Sequence, residues 1–338
     1  TTHPIRLWDS WIPAGEVKAR DRVASVRRAG RFETRVVDTN RIELTAFMLG
    51  DGGTTQPTYT FTQKDGHAVA RFEEVLKAVG HTRRRTVRSA QNVQLFIHKN
   101  GPLYSWMEED GLHGKYSYEK TIPSWVFELN REDTALFLNR LWSTDGHCKQ
   151  DGPCKYSLEY CSTSRLFVRQ VQSLLYKFGI PSTIRKNQPS YVSKTGVPAR
   201  LAYILRITTQ QGVRNFLTEI GALGKSEGIE LPTADENNNR DTVPEGVNTL
   251  IQRIIDSNPK VRFGSAAKNS LYAAGIRATP EYPPTPWKLK RYVDFFRANS
   301  GYDQALIDEL DAHTQGEILW DTSNSIEGIG EQDCVDFE

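Results

Sequence analysis

The sequence predicts an α+β fold built around a duplicated unit. Three observations carry that prediction. An apolar helical segment ending in Asp-Gly occurs twice, closing at Asp51-Gly52 and at Asp145-Gly146, 94 residues apart. Strand-like alternation follows each one. An amphipathic segment stopped by glycine then follows, at Gly80 and at Gly179, 99 residues apart. Two units of helix, sheet and helix make a pseudo-symmetric domain of about 190 residues.

The elements follow in order. Residues 1–37 carry Trp8, Trp11, Ile12, Val17 and Val23 among turn residues such as Pro13-Ala14-Gly15, which reads as short strands. Arg41 to Gly53 is apolar nearly all round and stops at Asp-Gly-Gly. Tyr59 to Thr62 alternates as a strand, and Val69 to Gly80 has helical spacing. Leu136 to Gly146, Tyr156 to Cys161 and Phe167 to Gly179 repeat that series, with strands expected at 191–193 and 201–208. Residues 235–241 read as a polar linker, 245–310 as short helices, and 317–337 as further strands.

Composition narrows the function. The 338 residues are 25% charged and 38% hydrophobic, enough to bury sizeable cores. The net charge of +2 hides an asymmetry: residues 303–338 hold 11 acids and no Lys or Arg, so the first 302 carry 43 bases against 30 acids, a net of +13. A basic body predicts a polyanionic partner. No apolar run is long enough for a membrane span, no secretory signal opens the chain, and four cysteines make no disulfide framework, so a cytoplasmic location is expected. His147, Cys148, Cys154 and Cys161 lack a C-x2-C pair and do not read as a zinc site.

An aspartate in the last turn of a helix faces the negative end of the macrodipole, an unfavourable place for a carboxylate. Two of them, in matching places of a duplicated unit, would meet at one end if the helices packed through the small positions Ala46 and Gly50. Paired carboxylates call for a cation, and the orphan carbonyls of Gly50 and Thr144 add oxygen donors of the kind Mg²⁺ prefers. Such a site on a basic surface suits phosphodiester hydrolysis.

The segments Leu44–Gly52 (LTAFMLGDG) and Leu138–Gly146 (LNRLWSTDG) resemble the paired motifs of the LAGLIDADG homing endonucleases. The resemblance implies that Asp51 and Asp145 bind divalent metal, Mg²⁺ with Mn²⁺ able to substitute, and that each motif helix leads into a saddle-like antiparallel sheet lying on DNA. Arg140 departs from it, standing where a small residue is usual at the helix interface. Lys120-Thr121-Ile122-Pro123 is similar to the Lys-x-Ile-Pro element of intein endonucleases, which makes Lys120 an active-site lysine; Lys225 is its counterpart, with Lys194 as the alternative. The flanks resemble intein splicing blocks. Thr2-His3-Pro4 with Trp11 to Ala24 makes His3 the splicing histidine, and Trp320 to Glu338 places Asp336 at a late-block position. The arrangement most resembles inteins of bacterial replicative DNA helicases. The first splicing block with its nucleophile and the closing His-Asn are not in the sequence, so splicing is expected only when those terminal blocks are supplied.

The resulting expectation is a monomer cutting double-stranded DNA at a long specific site, flanked by host exteins. Residues 1–40 and 313–338 would form part of a β-rich Hint domain. Residues 41–234 would form the endonuclease, in halves 41–130 and 131–234, and residues 242–312 a helical region with a helix-turn-helix candidate around Lys268. The basic run Arg83, Arg84, Arg85 and Arg88, with Arg27 and Arg28, is expected at phosphates. Two rivals are a decayed endonuclease inside a splicing module and a maturase-like nucleic-acid-binding protein.

Overall fold

The computed structural model describes residues 2–81, 83–89, 92–98, 101–152, 155–189, 199–232, 242–263, 265–276, 283–314 and 318–323; of residues 84, 262, 263 and 265–268 it describes the backbone alone. In chain order the elements are β1 (Pro4–Arg6), β2 (Trp11–Pro13), β3 (Arg22–Val26), α1 (Thr39–Asp51), β4 (Gly52–Gly53), β5 (Thr60–Gln63), α2 (Gly66–Ala78), β6 (Arg83–Arg88), β7 (Val93–Ile97) and α3 (Pro102–Glu109). They continue with α4 (Arg131–Asp145), β8 (Gly146–Gln150), β9 (Tyr156–Ser162), α5 (Arg165–Lys177), β10 (Ser182–Asn187), β11 (Ala202–Ile207), α6 (Gln210–Asn215), α7 (Gly246–Ser257), α8 (Pro259–Phe263), α9 (Ser265–Ala273), α10 (Pro286–Ala298), α11 (Gln304–Ala312) and β12 (Ile318–Thr322). The chain divides into two compact units, one of Arg28–Glu236 and one of Thr1–Arg27 with Asn237–Glu338.

The unit of Arg28–Glu236 is the predicted α+β duplication. Each half runs helix, two strands, helix, two strands, and the four strands stand in the same order, β4-β5-β7-β6 and β8-β9-β11-β10, all antiparallel. Side-chain caps set the helix starts: Asp38, Asp65, Asn130 and Ser164 accept from backbone N–H groups of α1, α2, α4 and α5. Gly80 (φ +70°) and Gly179 (φ +66°) stop α2 and α5 in the left-handed region, as a C-terminal glycine should. Gly52 and Gly146 work differently. Their backbones are extended, and a Cβ would lie 2.4 Å from the Met48 carbonyl oxygen and 2.2 Å from that of Trp142. The Asp-Gly pair is therefore a helix passing directly into a strand past its own last turn, rather than a capped stop.

Helix α1 is apolar all round because Ile42 to Leu49 are all buried, between α4 and the first sheet. Phe47 meets Phe61 and Phe72 edge-on, and Phe61 stacks on Phe72. Gly50 does lie at the contact with α4, and Ala46 is buried. A Cβ on Gly50 would sit 1.9 Å from Thr144 Oγ1 and 2.5 Å from its Cβ. Gly50→Val must separate the helices, and we expect it to lower stability by about 2–4 kcal/mol, read as a drop in denaturation midpoint against wild type. An unchanged midpoint would show that the helices close up without glycine.

Arg140 is accommodated by a partner on the facing helix. Its Nε donates to Glu43 Oε2 at 2.5 Å, and Arg71 donates to both Glu43 oxygens at 2.9 and 2.7 Å. Glu43 is 1% exposed. Burial alone pushes its carboxyl up, but the two arginines hold it below its ordinary value near 4.5.

Strands β6, β7 and β10 and helix α3 were not anticipated as elements. β6 and β10 are sheet edges rich in Arg and Lys, and charge on an edge strand masks the apolar alternation that marks a strand. The expected strand at 191–193 lies outside the described residues, as does the linker at 235–241.

In the other unit β1 pairs with β2, and β3 pairs with β12, so Arg22–Val26 and Ile318–Thr322 share a sheet. Helices α7, α10 and α11 surround a core that includes Val247, Ile251, Val293, Phe296 and Leu310. Trp8 packs on His313 and Trp320. Arg22 ties strand to helix region: its guanidinium donates to the Thr242 carbonyl at 2.5 Å, the Thr242 hydroxyl at 3.1 Å and the Trp320 carbonyl at 3.2 Å. Asp308 and Asp311 pair with Arg297 of α10. Among the described residues no helix is long and apolar enough to cross a membrane.

Candidate metal centre

Two helix C-termini and two lysines build the site. Asp51 ends α1 and Asp145 ends α4, and the close Gly50–Thr144 contact draws those ends together. Burial and the Asp145 charge push the Asp51 carboxyl up to about 7, against the opposing pull of Lys225, Lys120 and Gln63. Asp145 is raised as well, by burial, with Lys120 and Lys225 opposing. Asp51 is half-buried and Asp145 keeps an exposed edge, yet two desolvated carboxylates in one field cannot both ionise cheaply.

The lysines straddle the two aspartates in matching fashion. Lys120 Nζ donates to the carbonyls of Met48 (2.8 Å), Leu49 (3.1 Å), Gly50 (3.4 Å) and Gly52 (2.7 Å), on either side of Asp51. Lys225 Nζ donates to the carbonyls of Thr144 and, at 2.8 Å, of Gly146, on either side of Asp145. Cations on the last carbonyls of a helix offset its negative end, so each lysine makes its aspartate's position tolerable. Burial pushes Lys120 down to about 8, and it lowers Lys225 too. The carbonyls of Gly50 and Thr144, expected as free metal donors, already accept from these lysines; each keeps a second lone pair.

The donor set fits a hard divalent cation. Two carboxylates and neighbouring carbonyls are all oxygen, and a cation would relieve the strain that lifts both carboxyls. Among the described residues no group of three or more His, Cys, Asp or Glu could hold a metal.

Gln63, unanticipated, donates from Nε2 to Asp51 Oδ2 at 2.5 Å. The signal was present: Tyr59, Phe61 and Gln63 alternate inward on one strand face, and a polar residue in an inward apolar series needs a buried partner. Glu43 gave the same signal within an apolar helix.

The other predicted residues scatter. Arg83 pairs with Glu73, Arg85 lies 4.0 Å over the Phe96 ring, and Arg88 is exposed at the end of β6. The Arg84 side chain lies outside the described residues. Arg28 sits beside Gly179 at the end of α5, and Arg27 belongs to the other unit. His3 is exposed there, its carbonyl accepting from Ala14 N at 2.7 Å. Lys194, Asp336 and the Lys268 side chain lie outside the described residues. On the second sheet the outward row includes Glu159, with Arg185 and Arg206 each 3.6 Å away.

Residues 132–221, from α4 through the second sheet, match the LAGLIDADG-like domain family. Along its length the chain is similar to the replicative DNA helicase DnaB of Synechocystis sp., at 26% identity over 99% of this chain and 39% of that protein. It is also similar to the protein RecA of Mycobacterium tuberculosis, at 26% identity over 70% of this chain and 32% of that one. The chain thus spans about two fifths or less of the curated relatives it matches. Among solved structures, the homing endonuclease I-DmoI in complex with DNA and Mn aligns with a TM-score of 0.37 at 14% identity, covering 54% of this chain and 97% of that one. Full-length DUF199/WhiA from Thermatoga maritima aligns with a TM-score of 0.39 at 14% identity, covering 83% and 93%.

Proposed function

We propose that this chain is a site-specific endonuclease of double-stranded DNA, carried inside an intein. The observation that carries the reading is the symmetric cluster: two raised carboxyls at paired helix ends, each flanked by a lysine on the adjoining carbonyls. Asp51 and Asp145 would hold a Mg²⁺ ion, with Mn²⁺ able to replace it, and the bound ion would supply Lewis acidity for phosphodiester hydrolysis. The protein's own groups do the rest. The carboxylates orient the site, and Lys120 and Lys225 set cationic charge where phosphate charge develops. The sheets present side chains to the groove. One chain carries both halves, so it acts as a monomer.

The intein part of the reading is supported by two facts. The chain matches, over 99% and 70% of its length, only part of two proteins with different names, the replicative DNA helicase DnaB and protein RecA, which fits an inserted element. The pairing of β3 with β12 brings early and late residues into one sheet, as a Hint domain interrupted by a nuclease requires. Host exteins would then flank the chain in its precursor.

The test is selection of a target from a randomised duplex library, followed by linearisation of plasmids bearing it in Mg²⁺, Mn²⁺ and EDTA. Cutting in either metal and none in EDTA is expected. Tight binding with no cutting in any metal would overturn the nuclease reading in favour of a maturase-like or decayed protein. Lys120→Met should lower the single-turnover rate on the order of 10²-fold; a rate within threefold of wild type, in a variant with a normal melt, would remove Lys120 from the chemistry.

A further inference from the structure

The two halves differ in what leads into their lysines. In the second half only residues 221–224, Gly-Ala-Leu-Gly, separate the helical turn ending at Ile220 from Lys225. In the first half ten residues, 110–119, separate α3 from Lys120, and they include Lys115, Tyr116, Ser117 and Tyr118. Lys115 and Tyr116 line a cleft of about 480 Å³ whose other walls include Asp51, Thr60, Thr62 and Lys120. Thr60 and Thr62 lie on β5, so the cleft runs from the carboxylate onto the first sheet.

The loop is held firmly where it stands. Thr54 Oγ1 donates to the carbonyls of Leu112 (2.8 Å) and Lys115 (3.2 Å), and Tyr116 N donates to Glu119 Oε2 at 2.9 Å. The Tyr116 and Tyr118 rings stack at 5.6 Å and 6°. The Arg200 guanidinium lies 3.8 Å over Tyr118, and the Ser117 and Thr163 hydroxyls are 3.1 Å apart. Yet Tyr116 remains 56% exposed, and the exposed Lys115 ammonium has no ion pair among the described residues. A braced loop that offers a free cation and a bare ring next to a carboxylate is preorganised for a ligand.

We infer that Lys115 and Tyr116 clamp one DNA strand beside Asp51, Lys115 on a phosphate neighbouring the scissile one and Tyr116 against the adjoining deoxyribose or base. The inference rests on the nuclease reading and deepens it. A clamp in one half makes the two strand cuts unequal. Lysine binds phosphate as a point charge, and an aromatic face accepts any base or sugar, so the contact positions the strand without reading its sequence.

The test uses supercoiled plasmid carrying the selected target, with wild type, Lys115→Ala, Tyr116→Ala and Tyr116→Phe, all checked by thermal melt. Nicked circles should accumulate with both alanine variants, one strand's cleavage slowing about 10-fold and the other's less than twofold. Tyr116→Phe, which keeps the ring, should stay within twofold of wild type. Lys115→Ala should also reduce the salt dependence of binding by about one ion. Equal slowing of both strands, or wild-type time courses in both alanine variants, would overturn the clamp. If wild type binds but cuts nothing, the nuclease reading falls and the salt slope decides alone: a loss of about one ion upholds the clamp, and an unchanged slope overturns it. A wild type that neither binds nor cuts overturns both.

Discussion

Asp51→Asn and Asp145→Asn should each abolish double-strand cleavage, lowering the rate by at least 10³-fold, while making the metal-free protein more stable. The two effects have one cause. Desolvation lifts both carboxyls, and the Asp145 charge adds to the rise at Asp51. For a group raised in the folded state, stability is full below its unfolded pKa, near 3.8, and is lost as pH rises through the folded value, about 7 for Asp51. Glu43 runs the other way: held below 4.5, it stabilises above that value and ceases to do so as pH falls through its folded pKa. The metal-free melting temperature should therefore decline from pH 5 to pH 8, by a stability change on the order of 2–4 kcal/mol. Mg²⁺ should flatten that decline, since binding to the folded state alone stabilises it. So should either asparagine variant, and without metal. Calorimetry at pH 5 and pH 8, with and without Mg²⁺, reads all of this. A metal-free melt that rises from pH 5 to pH 8, or asparagine variants that still cut, would remove the carboxylate pair from the role assigned to it.

The second large effect is expected at Glu43. Glu43→Ala leaves Arg140 against α1 with its counter-charge gone, and Arg71 loses two hydrogen bonds. Removing one partner of a buried ion pair costs about 3–5 kcal/mol, a fall on the order of 10 °C in melting temperature for a unit of this size. Glu43→Ala combined with Arg140→Leu should recover much of that loss, because the uncompensated charge is gone as well. Melts of the two single variants and the double decide it. Strict additivity would mean that Glu43 and Arg140 do not act on each other.

These two sites show where the sequence was readable. Asp51 and Asp145 stood out because a carboxylate at a helix C-terminus is locally unfavourable and the anomaly occurs twice. Lys120 followed from its resemblance to the Lys-x-Ile-Pro element. Lys225 could be named only beside Lys194, since nothing local marks a lysine whose partners, Thr144 and Gly146, lie some 80 residues away. Glu43 and Gln63 were hidden for a similar reason: a buried polar residue declares that it needs a partner but not which one. Arg140 looked like a flaw until Glu43 was set opposite it. The edge strands were illegible because their charge overwrites periodicity. The Arg83 to Arg88 run, read as a uniform phosphate patch, divides in three dimensions: Arg83 is committed to Glu73 and Arg85 to Phe96.

Arg22 carries a consequence for how such a chain could arise. Its guanidinium holds Thr242 and Trp320, so the backbone leaving the terminal unit along β3 and the backbone returning near Thr242 are fastened within one side chain's reach. The four peptide steps from Arg22 to Val26 span about 13 Å, a gap that roughly five to seven flexible residues bridge. Under the proposed intein reading, the whole of Arg28–Glu236 is then a removable cassette. Genetic gain or loss of that cassette asks little of the host unit beyond joining two points already side by side.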